Sequence, residues 1–181
     1  GGTSGGIYGF NRTNGAQIFF TSLDQYDQWT PTLYNDGLYS FVKGVLSSHN
    51  KGSGAILWSL DFGWKWSGYD MNRTTACADG LLFLINDSVT IPSGDQELIG
   101  VDLGSRAVAW KVKGRFTGTP AVAHETVFAI SGSSKNSVRA YDSQTGVFLG
   151  SYNLPGSDAN LAVQPIVTAD TLIASSATKT Y

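Results

Sequence analysis

The sequence returns four times to one short pattern, and that recurrence limits the folds open to it. Its best-preserved copy is Ala140-Tyr141-Asp142-Ser143-Gln144-Thr145-Gly146. Asp142 and Thr145 have side chains that hydrogen-bond turn backbone, and Gly146 can take the positive φ that closes a hairpin. Aligned on the last position, the anchors are Gly15, Gly54, Arg106 and Gly146, spaced 39, 52 and 40 apart. Asn11, Asn50, Asp102 and Asp142 hold the position four residues before each anchor. An apolar run follows every time: Ala16 to Phe19, Ala55 to Trp58, Ala107 to Trp110, and Val147 to Leu149 before Gly150.

A second landmark runs in phase with the first. Pro31, Thr74, Pro120 and Pro165 each precede an acidic residue by five positions: Asp36, Asp79, Glu125 and Asp170, spaced 43, 46 and 45 apart. Between the landmarks lie short β-branched and aromatic runs bounded by Gly, Asn, Asp and Ser. The best-defined unit has four: 119–123, 126–130, 137–141 and 147–152. No stretch shows a helical period. Charged residues make up only 14%, while 22 glycines and 12% aromatics suit a β-rich chain with many turns. A four-stranded unit of about 40 to 45 residues is the repeat of a β-propeller blade. The expected fold is all-β, with about four blade equivalents in a partial or small wheel. Residues 1–6 read as a linker. The rest divides into an outer hairpin at 7–20, blades near 30–60, 74–112 and 119–152, and an inner hairpin at 161–175.

These units resemble the blades of the pyrroloquinoline-quinone (PQQ)-like propeller family, whose motif runs Ala-x-Asp-x-x-Thr-Gly and then Trp. Ala140, Asp142, Thr145 and Gly146 match it, with Gly150 at the Trp position. Asn50, Ser53, Gly54 and Trp58 match in the second copy, and Asp102, Ser105 and Trp110 in the third, where Arg106 replaces glycine. The first copy keeps Asn11 and Gly15, with Phe19 for Trp. The ring after each turn is expected to bury against the neighbouring blade, and Arg106 to bring a different turn or modest strain. Quinone-dependent dehydrogenases of this fold use a neighbouring-cysteine pair, calcium and a catalytic Asp. This chain has one cysteine, Cys77, so no cofactor is expected.

A net charge of −2 gives no basic field for nucleic acid. The longest uninterrupted apolar run, Leu81 to Ile85, is too short to span a bilayer as a helix. His49 and His124 lack metal-ligand spacing and read as structural. Cys77 reads as a small core residue. Asp27, Asp61 and Asp70 could form a carboxylate pair, and Asp87, Ser88, Asp95 and Glu97 could touch calcium, but neither spacing is diagnostic. No catalytic residue and no metal site is assigned.

Antiparallel blades put the turns between strands one and two, and three and four, on one face. The remaining connections lie on the other. That second face is expected to carry 21–29, 61–73, 86–96, 114–118, 131–136 and 153–160. Its aromatic and charged residues Trp29, Trp64, Trp66, Tyr69, Asp70 and Arg73 are the candidate binding residues, either as a contact for a protein or glycan or as a lid on the core. The expectation is an extracytoplasmic binding or scaffold module. An enzyme (a quinoprotein-type dehydrogenase or a carboxylate-based hydrolase or lyase) and a purely structural repeat are the alternatives. The open blade edges could also pair between two copies in a composite ring.

Overall fold

Period-two alternation of apolar and small or polar residues makes strands throughout. The computed structural model describes residues 5–24, 29–63, 74–87, 96–131, 136–153 and 164–175. Among these there is no helix. The outer pair of a leading half-blade is β1 (Gly6–Phe10) and β2 (Gln17–Ser22). Blade one is β3 (Thr32–Tyr34), β4 (Gly37–Val42), β5 (Val45–His49) and β6 (Ile56–Asp61). Blade two is β7 (Ala76–Ala78), β8 (Leu81–Asn86), β9 (Gln96–Asp102) and β10 (Ala107–Gly114). Blade three is β11 (Phe116–Ala123), β12 (Thr126–Ser131), β13 (Ser137–Asp142) and β14 (Phe148–Asn153). A trailing half-blade holds β15 (Ile166–Val167) and β16 (Leu172–Ile173).

Each complete blade is a four-stranded antiparallel meander in sequence order. The fold is a β-propeller arc of about four blade equivalents. The half-blades form separate two-stranded sheets, so the arc does not close by pairing its own first and last described strands.

The core lies between blades. Tyr39, Phe41 and Leu46 of blade one meet Leu82, Leu84, Ile99 and Val101 of blade two. Leu81, Phe83, Ile85, Leu98 and Trp110 of blade two meet Phe116, Val127, Ala129 and Tyr141 of blade three. Ile130 and Val138 of blade three meet Ala174. Phe41, Phe83 and Phe116 are among the largest fully buried side chains. Each contributes about 1.5–3 kcal/mol by leaving water, more than one exposed turn hydrogen bond supplies, so stacking of blades dominates stability.

Two sequence expectations change. The 114–118 connection is not a loop: β10 runs to Gly114 and β11 starts at Phe116, leaving only Arg115 between them. Gly118 takes φ 75, and the β11–β12 register slips between Thr117 and Ala121, so the ladder passes over Pro120, which has no N–H to give. The trailing pair, expected over 161–175, is confined to β15 and β16, and residues 161–163 lie outside the described ones.

Candidate functional site

The two faces of the arc are held by different devices. On the turn face, the repeated motif closes each outer hairpin. Asp142 Oδ1 accepts the backbone N–H of Gln144 at 3.1 Å, the N–H of Thr145 at 2.8 Å and the Thr145 hydroxyl at 2.7 Å. Those bonds hold its carboxyl below the ordinary range, the Thr145 hydroxyl first. Asp102 is lowered in the same way by the backbone and hydroxyl of Ser105. Asn11 and Asn50 accept the equivalent backbone bonds in the first two copies. All four anchors share one backbone shape, with φ of 71 at Gly15, 73 at Gly54, 56 at Arg106 and 70 at Gly146. Arg106 therefore makes the same turn as the glycines and carries the strain. Each hairpin then slips register by one residue, at Ile18, Leu57, Ala109 and Leu149. The bulge sets the orientation of the residue after it: Phe19, Trp58, Trp110 or Gly150.

Two of those rings dock on the next blade. Trp110 lies over Gly146, where a Cβ would come within 2.7 Å of the indole, and its Nε1–H donates to the Ser143 carbonyl at 2.8 Å. Phe19 lies over Gly54, where a Cβ would come within 2.4 Å of the ring, and the Thr21 hydroxyl donates to the Gly54 carbonyl at 2.8 Å. Trp58 has no glycine at the next anchor and packs beside Tyr39, ring centroids 6.1 Å apart. Gly150 supplies no ring. His49 supports the Gly54 turn from inside. Its Nδ1–H donates to the Gly54 carbonyl at 3.1 Å, so Nε2 accepts from the Ser40 hydroxyl at 2.9 Å, and burial pushes its pKa down. It is a satisfied structural histidine. The turn face is occupied with holding the fold.

The loop face is tied by hydroxyls. Thr30 and Thr74, at the entries to blades one and two, have Oγ1 atoms 2.9 Å apart, and the Thr30 N–H donates to Thr74 Oγ1 at 3.3 Å. One step inward, the Thr32 hydroxyl donates to the Thr75 carbonyl at 3.0 Å and the Thr75 hydroxyl to Thr32 Oγ1 at 2.9 Å. Gln164 Nε2 donates to the Pro120 carbonyl at 3.1 Å at the entry to the trailing half-blade. These rungs fix successive loop exits side by side. Trp29, half-buried, directly precedes Thr30 in sequence, and Arg73 directly precedes Thr74.

The start of the second loop is also anchored. The Phe62 N–H donates to the Gly44 carbonyl at 2.9 Å, the Gly63 N–H to Asp61 Oδ1 at 2.8 Å, and Asn86 Nδ2 to the Gly63 carbonyl at 3.3 Å. Lys111 Nζ sits 5.5 Å from the Phe62 ring centroid and 3.4 Å from Glu97 Oε2. Lys43, in the turn between β4 and β5, pairs with Asp24 at 3.3 Å. Both ends of the 62–75 connection are thus held.

Of the candidate binding residues, Trp29 is described. Trp64, Trp66, Tyr69, Asp70 and Arg73 lie outside the described residues, as do Asp27, Ser88 and Asp95. Asp61 serves as a turn acceptor. Among the described residues no group of three or more His, Cys, Asp or Glu could share a metal ion. Cys77 lies on β7 with its thiol pushed up to about 12 by burial, which keeps it protonated. With one cysteine the chain cannot form the neighbouring pair that quinone enzymes of this fold use. Sequence reasoning missed the threonine rungs. Their signal was present in the recurrence of Thr at blade entries, 44 residues apart at Thr30 and Thr74.

BamB from Moraxella catarrhalis superposes with a TM-score of 0.72 at 16% identity, over 96% of this chain and 53% of that one. Sqt1 from Saccharomyces cerevisiae superposes with a TM-score of 0.66 at 16% identity, over 93% and 50%. The quinohemoprotein alcohol dehydrogenase ADHIIG from Pseudomonas putida HK5 gives 0.59 at 20% identity, over 76% and 22%. At these identities the likeness is one of fold, and the chain spans about half or less of each structure. No curated protein sequence matches it. Residues 42–180 do match the PQQ-like repeat family described as outer membrane protein assembly factor BamB, and the chain belongs to that family.

Proposed function

We propose that the chain is a non-catalytic, protein-binding scaffold of the extracytoplasmic space, with its loop face as the contact surface. The observation that carries this reading is the family match over residues 42–180, because that family is described as an assembly factor. The division of labour between faces supports it. The motif residues are engaged in turns and blade docking, while the threonine rungs hold the 29–30 and 73–74 loop exits together. A rigid base lowers the entropy cost of presenting a contact loop. Trp29, Trp64, Trp66 and Tyr69 supply rings suited to an interface core, and Asp70 and Arg73 a charged rim.

The test is retention of a discrete complex from a solubilised outer-membrane extract by the immobilised chain. Trp64→Ala with Trp66→Ala, and separately Trp29→Ala, should reduce retention at least tenfold without changing the melting temperature. Unchanged retention would remove the loop face from consideration. Retention transferred to a glycan array would replace the protein partner by a carbohydrate. Incubation with PQQ and calcium should give neither a bound quinone spectrum nor dye reduction, and either signal would favour the enzyme reading.

A further inference from the structure

The position just before the turn Asp or Asn faces the preceding blade in every copy. His49 and Val101 are 0% exposed there and Tyr141 is 2%. Phe10, the equivalent residue of the leading half-blade, is 58% exposed. It does not stand alone. Tyr8 and Phe20 share its side of the β1–β2 hairpin, with ring centroids 6.2 Å from Tyr8 to Phe10 and 4.5 Å from Tyr8 to Phe20. The opposite side of the same hairpin is engaged: Ile7 is buried, and Phe19 lies over Gly54. One side of this hairpin thus lacks the blade that covers every other copy.

The other end of the arc presents the matching shape. Gly150 stands where Phe19, Trp58 and Trp110 stand, and a Cβ built on it meets nothing within 4 Å. Tyr152 is 58% exposed on the same side of β14. A cleft of about 310 Å³ opens there, lined by Phe128, Tyr152 and Leu172 among others. Elsewhere the preceding blade supplies a ring and the hairpin supplies a glycine. Here the roles are exchanged: blade three offers Gly150 and space, and the leading hairpin offers Phe10, Tyr8 and Phe20.

The strands match as well. β1–β2 is an outer pair whose β1 lacks an inner neighbour, and β15–β16 is an inner pair whose β16 lacks an outer neighbour. We propose that a second copy of this chain covers both ends. β16 of one copy pairs with β1 of the other, and each Phe10 face packs on the Gly150–Tyr152 face of its partner. The two joints are related by a half-turn about the wheel axis, so the assembly closes and does not propagate. Three complete blades and two halves from each copy make an eight-bladed ring. Because one chain covers 53% of the Moraxella catarrhalis structure, two cover about its full length.

The test measures mass by light scattering and shape by small-angle X-ray scattering on the 181-residue chain. The expected result is twice the chain mass and the profile of a closed disc. Phe10→Lys and Tyr152→Lys, which change opposite ends, should each give monomers with unchanged far-ultraviolet circular dichroism. Val108→Lys, exposed on the rim of blade two, should stay dimeric. A wild-type monomer would overturn the proposal and leave the Phe10 face to another partner or to a further part of the same polypeptide. Dissociation by Phe10→Lys alone would overturn it in favour of face-to-face pairing of the leading hairpins. A ladder of higher oligomers would overturn closure.

Discussion

Gly15, Gly54 and Gly146 hold the same place in three hairpins, at φ of 71, 73 and 70, and differ in what lies above them. Alanine at any of the three meets the same backbone penalty of about 1–2 kcal/mol. A stiffer unfolded chain returns about 0.4–1 kcal/mol of that. Gly15→Ala should therefore cost about 1 kcal/mol, since its Cβ meets nothing within 4 Å. At Gly146 the Cβ would lie 2.7 and 2.8 Å from two indole carbons of Trp110. The ring must retreat by about 1 Å to reach ordinary carbon contact. It is held by the 2.8 Å bond to Ser143 and by Phe83, ring centroids 5.9 Å apart. Overpacking adds about 1–3 kcal/mol, and a stretched hydrogen bond about 0.5–1.5 kcal/mol. Gly146→Ala should thus cost about 3–5 kcal/mol by these terms. Gly54→Ala should fall between, because Phe19 belongs to a two-stranded half-blade that yields more easily. The assay is equilibrium urea unfolding followed by fluorescence. The decisive control is Gly146→Ala in a Trp110→Ala background, where its cost should drop to that of Gly15→Ala. Equal losses at Gly15 and Gly146, or a loss at Gly146 that survives removal of the ring, would refute ring-on-glycine docking.

Three further outcomes follow from the same geometry. Arg106→Gly keeps the turn at φ 56 and removes a side chain from the left-handed region, so it should raise stability by about 0.5–1 kcal/mol in the same assay; a loss would mean that the arginine side chain contributes more than the strain costs. Asp102 and Asp142 have carboxyls held below their ordinary value of 3.8. Their contribution is therefore present above that value and lost as pH falls through the lowered folded-state range. Melting temperature should fall on acidification, and Asp102→Asn with Asp142→Asn should flatten that fall, since Asn11 and Asn50 fill the same place in other turns; an unchanged pH profile would place the acid sensitivity elsewhere. Cys77, with its thiol pushed up to about 12, should react with iodoacetamide far more slowly at pH 8 in the folded chain than in urea, and equal rates would contradict its burial.

The turns were legible because each is a local event. An Asp or Asn, a Ser or Thr and a residue tolerant of positive φ lie within five positions, so sequence order places them together. Arg106 shows the limit of that reading. Its surroundings gave the turn, but only the φ of 56 decides between a different turn and the same turn under strain. The docking between blades was less legible. Trp110 and Ser143 are 33 residues apart, and so are Thr21 and Gly54. A ring at the Trp position predicts burial, yet its partner is the glycine of the next copy. Two glycines misled the reading at 114–118, where Gly114 ends one strand and Gly118 lets the next pass Pro120. Composition marked the loop face by its rings, while the hydroxyls that brace it look like ordinary threonines.

The three interfaces involving complete blades one to three also explain why the motif can decay without loss of fold. Leading half-blade and blade one meet through Phe19 on Gly54, with Thr21 bonded to the same turn. Blades two and three meet through Trp110 on Gly146 and the apolar cluster around Phe83 and Phe116. Between blades one and two the glycine is lost to Arg106, and no ring needs its space. There Tyr39, Phe41 and Leu46 pack on Leu82, Leu84, Ile99 and Val101, and the threonine rungs brace the opposite face. Each of these interfaces keeps an apolar contact and at least one hydrogen bond, drawn from different residues. A fold stabilised by such interchangeable joints constrains its turn face and blade faces most tightly. Substitutions in the 64–73 connection change neither a ring-on-glycine dock nor a threonine rung. Changes there should alter binding at little expense of stability, which is the property that the loop-face variants test.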